Sequence, residues 1–280
     1  MSYPVTIGIE EEAFVLEHGR LLPTLQSLDY MRRRLWTNPL RYTVRTASNF
    51  LRDGDQRRHG LMGSVEVSTG VHCEPDSLMR ELLQMRREFA RATRGAMVVP
   101  VGALFTTDAK TMTSGLHVHI GVPTDQRSRV YENIAYFLPV LAVASASSPY
   151  FDGRHVGPSS RMAEPYALGP LREDREYRFQ DLIVTKRLGT VEVRLFDPVP
   201  DMSRIEHIVR ALYEIARYEG TLPYSREEYN GARPEWTRQG LNPWVRKRWE
   251  SLQPISPLPI ELLEETFSSR LAQIVRAGGV

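Results

Sequence analysis

Four separate segments of this sequence alternate apolar and polar residues with a period of two, and in each the polar positions carry ionisable side chains. They are Ile7-Gly8-Ile9-Glu10-Glu11-Glu12, Ser64-Val65-Glu66-Val67-Ser68, Leu116-His117-Val118-His119-Ile120 and Val191-Glu192-Val193-Arg194-Leu195. Successive strand side chains point to opposite faces, so Glu10 shares a face with Glu12, His117 with His119, and Glu192 with Arg194. If the four strands are neighbours, one face of the sheet is a core and the other an ionic site. Glu10 and Glu12 then lie about 7 Å apart and repel by about 2 kcal/mol at an effective dielectric near 20. A bound cation removes that conflict.

At 280 residues, with 41% apolar and 25% charged residues, the chain can bury a substantial core. A formal charge of +2 with mixed signs leaves no basic stripe, so no nucleic-acid partner is expected. One cysteine, Cys73, excludes an internal disulfide, and the sequence opens without a charged-then-apolar leader; a cytoplasmic location and a packed Cys73 thiol are the expectations. The longest apolar stretch, Ile134 to Ala146, contains Pro139 and is shorter than a membrane span. It predicts a buried helix and no membrane partner.

Periodicity and turn residues predict a strand over Val5–Leu16, a helix over Leu22–Trp36, an exposed loop over Ser48–Gly60 and a strand within Leu61–His72. A helix starts at Pro75 and Asp76, carries Leu78, Leu82, Met85 and Phe89 on one stripe, and ends near Gly95. Met97–Phe105 predicts a buried strand, Gly115–Val122 the histidine-bearing strand, and Arg127–Ala146 a helix. Ser147–Gly169 reads as a long irregular loop suited to substrate contact. After the Val191–Phe196 strand, Ser203-Arg204-Ile205-Glu206 has the capping-box pattern, and a helix runs to Gly220. A Trp-bearing linker over Trp236–Trp249 and a terminal helix near Ile260–Ala277 complete the expectations. The whole predicts an α+β fold, one domain over 1–280 with a C-terminal helical extension from 220 to 280.

Glu10, Glu12, Glu66 and Glu192 supply the oxygen donors that a hard ion such as Mg²⁺ prefers. His117-Val118-His119 also fits a zinc-dependent hydrolase, with a third ligand from Glu66, Glu192 or His155. Arg194, two residues after Glu192, is placed to hold a phosphate beside a metal, or else to pair with a sheet neighbour. Arg154 and Arg161 stand in the long polar loop, where they reach a nucleotide only if the loop closes over it. Neither a Walker-type phosphate loop nor a dinucleotide fingerprint occurs.

The same segments, with Ser145-Ala146-Ser147-Ser148-Pro149-Tyr150-Phe151-Asp152-Gly153-Arg154 and the strand exit at Asp197, resemble the glutamate-cysteine ligase type 2, or carboxylate-amine ligase, family in order and over roughly residues 5 to 220. The resemblance implies a glutamine-synthetase-like fold, a curved and mainly antiparallel sheet with helices on its outer face. It implies an ATP-dependent enzyme in which a carboxylate substrate becomes an acyl phosphate that an amine captures. By similarity Glu10, Glu12, Glu66, His117 and Glu192 fall on metal positions for Mg²⁺ or Mn²⁺. By similarity Arg194 falls on a phosphate-contacting position. Glu12 and Arg194 are the catalytic candidates, and Arg154 and Arg161 of the long loop are the further candidate nucleotide contacts. Homo-oligomerisation is expected by family analogy and by the prevalence of symmetric assemblies. His59 stands where the family usually has an acidic group, and the chain is short for the family, so a nucleotide-binding homologue without turnover is a further reading.

Overall fold

The computed structural model describes residues 3–17, 20–21, 45–47, 64–92, 96–105, 113–163, 168 and 180–276. Its strands are β1 Thr6–Glu17, β2 Arg20–Leu21, β3 Arg45–Ala47, β4 Ser64–Ser68, β5 Met97–Val99, β6 Leu116–Gly121, β7 Tyr150–Phe151, β8 Arg154–His155, β9 Leu182–Val184 and β10 Val191–Phe196. The helices are α1 Pro75–Ala92, α2 Arg127–Ser145, α3 Ser160–Ala163, α4 Met202–Arg217, α5 Arg226–Gln239, α6 Pro243–Leu252, α7 Glu261–Glu264 and α8 Phe267–Arg276.

The main sheet has the order β3-β4-β1-β6-β10-β9, with β2 and β5 on the far end of β1, and every pairing in it is antiparallel. The four alternating segments occupy its centre side by side. Ile9 lies opposite Val118, and Val118 opposite Val193, so one face is apolar at all three strands. That face packs on α1, α2 and α4 in a core that includes Ile7, Ile9, Val118, Ile120, Leu138 and Ile208, each at most 1% exposed. The pleat therefore turns the ionisable positions to the other face. The architecture is the expected α+β arrangement, a mainly antiparallel sheet with helices behind it.

Glu11 shows what alternation does within the triple glutamate. It points into the helix side, is 2% exposed, and accepts two hydrogen bonds from Arg86 of α1, one of them at 2.8 Å from Nε. Arg86 also donates to the carbonyls of Val199 and Pro200, so one guanidinium ties β1, α1 and the exit of β10 together. Burial and pairing of this kind are how a core accepts a carboxylate.

Several boundaries differ from expectation, each for a local reason. The strand predicted over Met97–Phe105 stops at Val99, because Pro100 has no N–H for the ladder. The α4 helix is capped by Asp201, whose carboxylate accepts from the N–H groups of Ser203 and Arg204, and not by Ser203. The loop after Ser147 contains the β7–β8 hairpin and the α3 turn. The segment read as a Trp-bearing linker is helical on both sides of Gly240, as α5 and α6. The terminal helix is divided into α7 and α8. Cys73 is exposed instead of packed. Tyr229, Trp236, Val245, Leu252 and Leu263 join the same core as the sheet. The helix read at 22–36, the loop at 48–60, His59 and the end of α1 near Gly95 lie outside the described residues.

Candidate active site

Cross-strand register assembles the ionic face. Glu10 of β1 lies opposite His117 of β6 and Ser68 of β4, Glu12 opposite Glu66, and His119 opposite Glu192 of β10. Among the described residues, one group of three offers ligand atoms that all lie within 4.8 Å of one another: Glu10, His119 and Glu192. Glu10 and Glu192 come from strands on either side of β6, so no sequence-local motif contains the group.

The two histidines divide their work. His119 Nδ1 lies 3.1 Å from Thr190 Oγ1. Its Nε2 is buried, has no hydrogen-bond partner, and faces Glu10 at 3.6 Å. A ring nitrogen held toward a carboxylate by a hydroxyl on the opposite nitrogen suits a metal-binding imidazole. His117 is different. Its Nε2 lies 3.3 Å from Arg161 Nη2, and its Nδ1 lies 3.7 Å from both Glu10 and Glu192. Since a guanidinium only donates, Nε2 accepts and the proton sits on Nδ1, facing the carboxylates. Burial, then the Arg194 charge, pulls the His117 pKa down to about 3, so the ring is neutral at pH 7. The ring nitrogens of His117 and His119, 3.7 and 3.6 Å away, hold the Glu10 carboxyl well below its usual range, so Glu10 is ionised.

Glu12 accepts the Gly115 N–H at 2.7 Å. Burial pushes its carboxyl up against the opposing charge of Arg161 and the bond from Gly115. Glu66 is half-buried and accepts from Ser68 Oγ at 3.3 Å. Arg194 donates to Glu192, in the pairing that was the alternative to phosphate contact. A bulge between Val193 and Phe196 opens the β10–β6 ladder at Arg194, whose own N–H bonds to the carbonyl of Asp181, directly before β9, at 2.9 Å.

Of the two loop arginines, the structure brings in one. Arg161, on α3, crosses to the sheet and donates to the Phe196 carbonyl as well as to His117. Gly115 makes this passage available, since a Cβ there would lie 2.6 to 2.8 Å from the Arg161 guanidinium. Arg154 is exposed on the β7–β8 hairpin. His155 beside it is also exposed and stands edge-on to Tyr150, with ring centroids 5.6 Å apart. The three-residue group takes neither His155 nor His117.

Asp197, which the sequence marks only as the exit of the strand, is fully buried where β10 ends. Its carboxylate accepts from Ser148 Oγ at 2.7 Å, Ser159 Oγ at 2.9 Å and the Ser147 N–H at 2.9 Å. A Cβ on Gly102 would lie 2.2 Å from Asp197 Oδ1 and 2.6 Å from Ser148 Oγ. Because that carboxylate is fully engaged it cannot swing aside. Gly102→Ala is therefore expected to cost about 1–3 kcal/mol, as overpacking does, read as a lowered midpoint in urea with the slope unchanged.

The fold is that of the glutamine-synthetase-like ligases. A bifunctional glutathione synthetase from Pasteurella multocida superposes with a TM-score of 0.66 at 12% identity, covering 97% of this chain and 50% of that one. A glutamate–cysteine ligase from Francisella tularensis, solved in complex with AMP, gives 0.61 at 12% identity, covering 98% and 85%. In sequence, residues 105–170 match glutamate-cysteine ligase family 2 (GCS2). A Nocardioides sp. (strain ATCC BAA-499 / JS614) protein named "Putative glutamate–cysteine ligase 2-1" is 29% identical over 268 residues, 76% of this chain and 68% of that protein. A Bradyrhizobium sp. (strain ORS 278) protein named "Putative glutamate–cysteine ligase 2" is 25% identical over 178 residues, 54% of this chain and 40% of that protein. The resemblance read from five ordered motifs to the glutamate-cysteine ligase type 2, or carboxylate-amine ligase, family is thus borne out. The chain spans 40% of the length of the Bradyrhizobium relative and 68% of the Nocardioides one. No helix among the described residues is long and apolar enough to cross a membrane.

Proposed function

We propose that this chain is an ATP-dependent carboxylate-amine ligase that works on the ionic face of its sheet with Mg²⁺ or Mn²⁺. The observation that carries the reading is the Glu10–His119–Glu192 group, with the buried His119 Nε2 3.6 Å from Glu10 and no hydrogen-bond partner among the described residues. Two carboxylates and one imidazole suit a divalent cation, and His119, Glu10 and Glu192 are the residues that would hold it, with Glu12 and Glu66 opposite each other on the same face. A divalent cation bound there supplies neutralisation of phosphate charge during phosphoryl transfer.

The protein's own side chains do the rest by position and charge. Arg161 and Arg194 bring two guanidiniums to a face otherwise rich in carboxylates. They suit the phosphate oxygens of ATP and of an acyl phosphate formed when a substrate carboxylate attacks the γ-phosphate. Neutral His117 keeps its Nδ1–H toward Glu10 and Glu192 and so fixes where those carboxylates point. Glu12, tied to the Gly115 N–H, shares the face with Arg161 and Arg194 and is the placed acceptor for a proton from the attacking amine. The substrates in this reading are a small carboxylate of the glutamate kind and a small amine.

The test is ADP release by the purified protein with ATP and Mg²⁺ against pooled amino acids and amines. Release that depends on both a carboxylate and an amine is the expected result. Binding of ATP with no release under any pairing would favour a nucleotide-binding homologue without turnover, and zinc held at one equivalent through dialysis would favour a hydrolase.

A further inference from the structure

We propose that Asp197 is a positioning residue of this site: by gathering Ser147, Ser148 and Ser159 it sets the α3 turn so that Arg161 reaches His117 on the ionic face. The proposal rests on the ligase reading for its functional meaning and on geometry for its mechanism. Ser159 is the hinge of the argument. Its hydroxyl donates to Asp197 Oδ1 at 2.9 Å and accepts the Met162 N–H at 3.2 Å, so the carboxylate fixes the first turn of the helix that carries Arg161. Ser148, bonded to Asp197 Oδ2, pairs in parallel with Ser159, and the Ser160 N–H bonds to the Ser148 carbonyl at 2.5 Å.

The guanidinium end is held by the neighbouring residue. Arg161 Nη1 donates to the carbonyl of Phe196, directly before Asp197 in the chain. One dipeptide, Phe196-Asp197, therefore fixes both the backbone from which Arg161 starts and the point where its side chain arrives. Two glycines leave room along this path, Gly102 at the Asp197 carboxylate and Gly115 at the Arg161 guanidinium. A buried carboxylate with only a packing role gives no reason for the second clearance, which serves a cation passing to His117. Asp197 touches no atom of the Glu10–His119–Glu192 group in this account; it acts through Arg161.

The experiment compares wild type with Asp197→Asn, Arg161→Ala and the double variant. The amide keeps the shape but turns one acceptor into a donor facing hydroxyl and N–H donors. The first readout is the ¹⁵N spectrum of the His117 imidazole, assigned with His117→Gln, which reports whether Nε2 still accepts from Arg161. Asp197→Asn and Arg161→Ala are expected to move that ring away from the single Nδ1–H tautomer, and the double variant to match Arg161→Ala alone. The second readout is ADP release, where Asp197→Asn should lower kcat/KM by about tenfold to a hundredfold, the range for a displaced active-site group, with no further loss on an Arg161→Ala background. If Asp197→Asn does not fold, Ser159→Ala tests the same link from the other side. A variant that melts earlier but keeps the wild-type His117 spectrum and kcat/KM overturns the proposal. If wild type releases no ADP at all, the ligase reading fails, while the His117 spectrum still decides whether Asp197 places Arg161.

Discussion

Glu192→Gln is expected to abolish turnover and to remove the stabilisation that Mn²⁺ or Mg²⁺ gives the wild type, while leaving the metal-free fold nearly unchanged. The first half follows from the donor set. With Glu192 neutral, the group that converges within 4.8 Å keeps one carboxylate and one imidazole, which is too little charge to hold a hard divalent cation against water. A cation present at a hundred times its Kd stabilises the native state by about 2.7 kcal/mol, a shift of several degrees in Tm, and the variant should show none of it. The second half follows from exposure. Glu192, 5% exposed, pairs with Arg194, whose side chain is 23% exposed, so the guanidinium freed by the amide still meets water. Thermal melts with and without Mn²⁺ at about a hundred times its Kd, together with ADP release, read both halves. An unchanged Mn²⁺ shift in the variant would remove Glu192 from the cation site, and a large loss of metal-free stability would make its role structural.

Much of this site was legible because a strand is a simple code. Period-two alternation in four segments is enough to put Glu10, Glu12, His117, His119, Glu192 and Arg194 on one face, and the antiparallel register then makes them neighbours. Alternation has no power to separate His117 from His119, since both obey it. What separates them is Arg161, 44 residues from His117, and Thr190, 71 residues from His119. The similarity-based assignment favoured His117, whereas the converging group holds His119. Arg161, a candidate from its sequence only if its loop closes over a nucleotide, reaches the face past one distant glycine, Gly115.

The C-terminal helices were obscured for another reason. Helix α5 contains Gly231 and Pro234, both residues that ordinarily punctuate helices, and two of its four buried positions are Arg233 and Thr237. An apolar-periodicity reading scores polar residues as solvent-facing and so misses a helix that buries a charge. The partner that makes such burial tolerable, Asp181, lies 52 residues earlier.

That pair is where the largest loss of stability is expected. Asp181 is 1% exposed and accepts Arg233 Nε at 2.7 Å, Arg233 Nη2 at 2.9 Å and Tyr229 Oη at 2.7 Å, joining α5 to the start of β9. Burial by itself pulls the Arg233 guanidinium down, and the Asp181 charge and hydrogen bonds more than reverse it, while burial followed by the same charge pushes the Tyr229 hydroxyl well up. Asp181→Ala leaves Arg233 as a buried cation without its counter-charge, a change that costs about 3–5 kcal/mol. Against total stabilities of about 5–15 kcal/mol, that is a large share. The effect extends to the site, because the Asp181 carbonyl holds the Arg194 N–H at the β10 bulge. Replacing both partners at once, Asp181→Leu with Arg233→Met, should recover most of the loss, since the charges, and not the volume, create the penalty. Urea midpoints for the two single variants and the pair decide it: a loss below about 1 kcal/mol for Asp181→Ala would mean that water reaches Arg233 and that α5 is not locked to the sheet by charge.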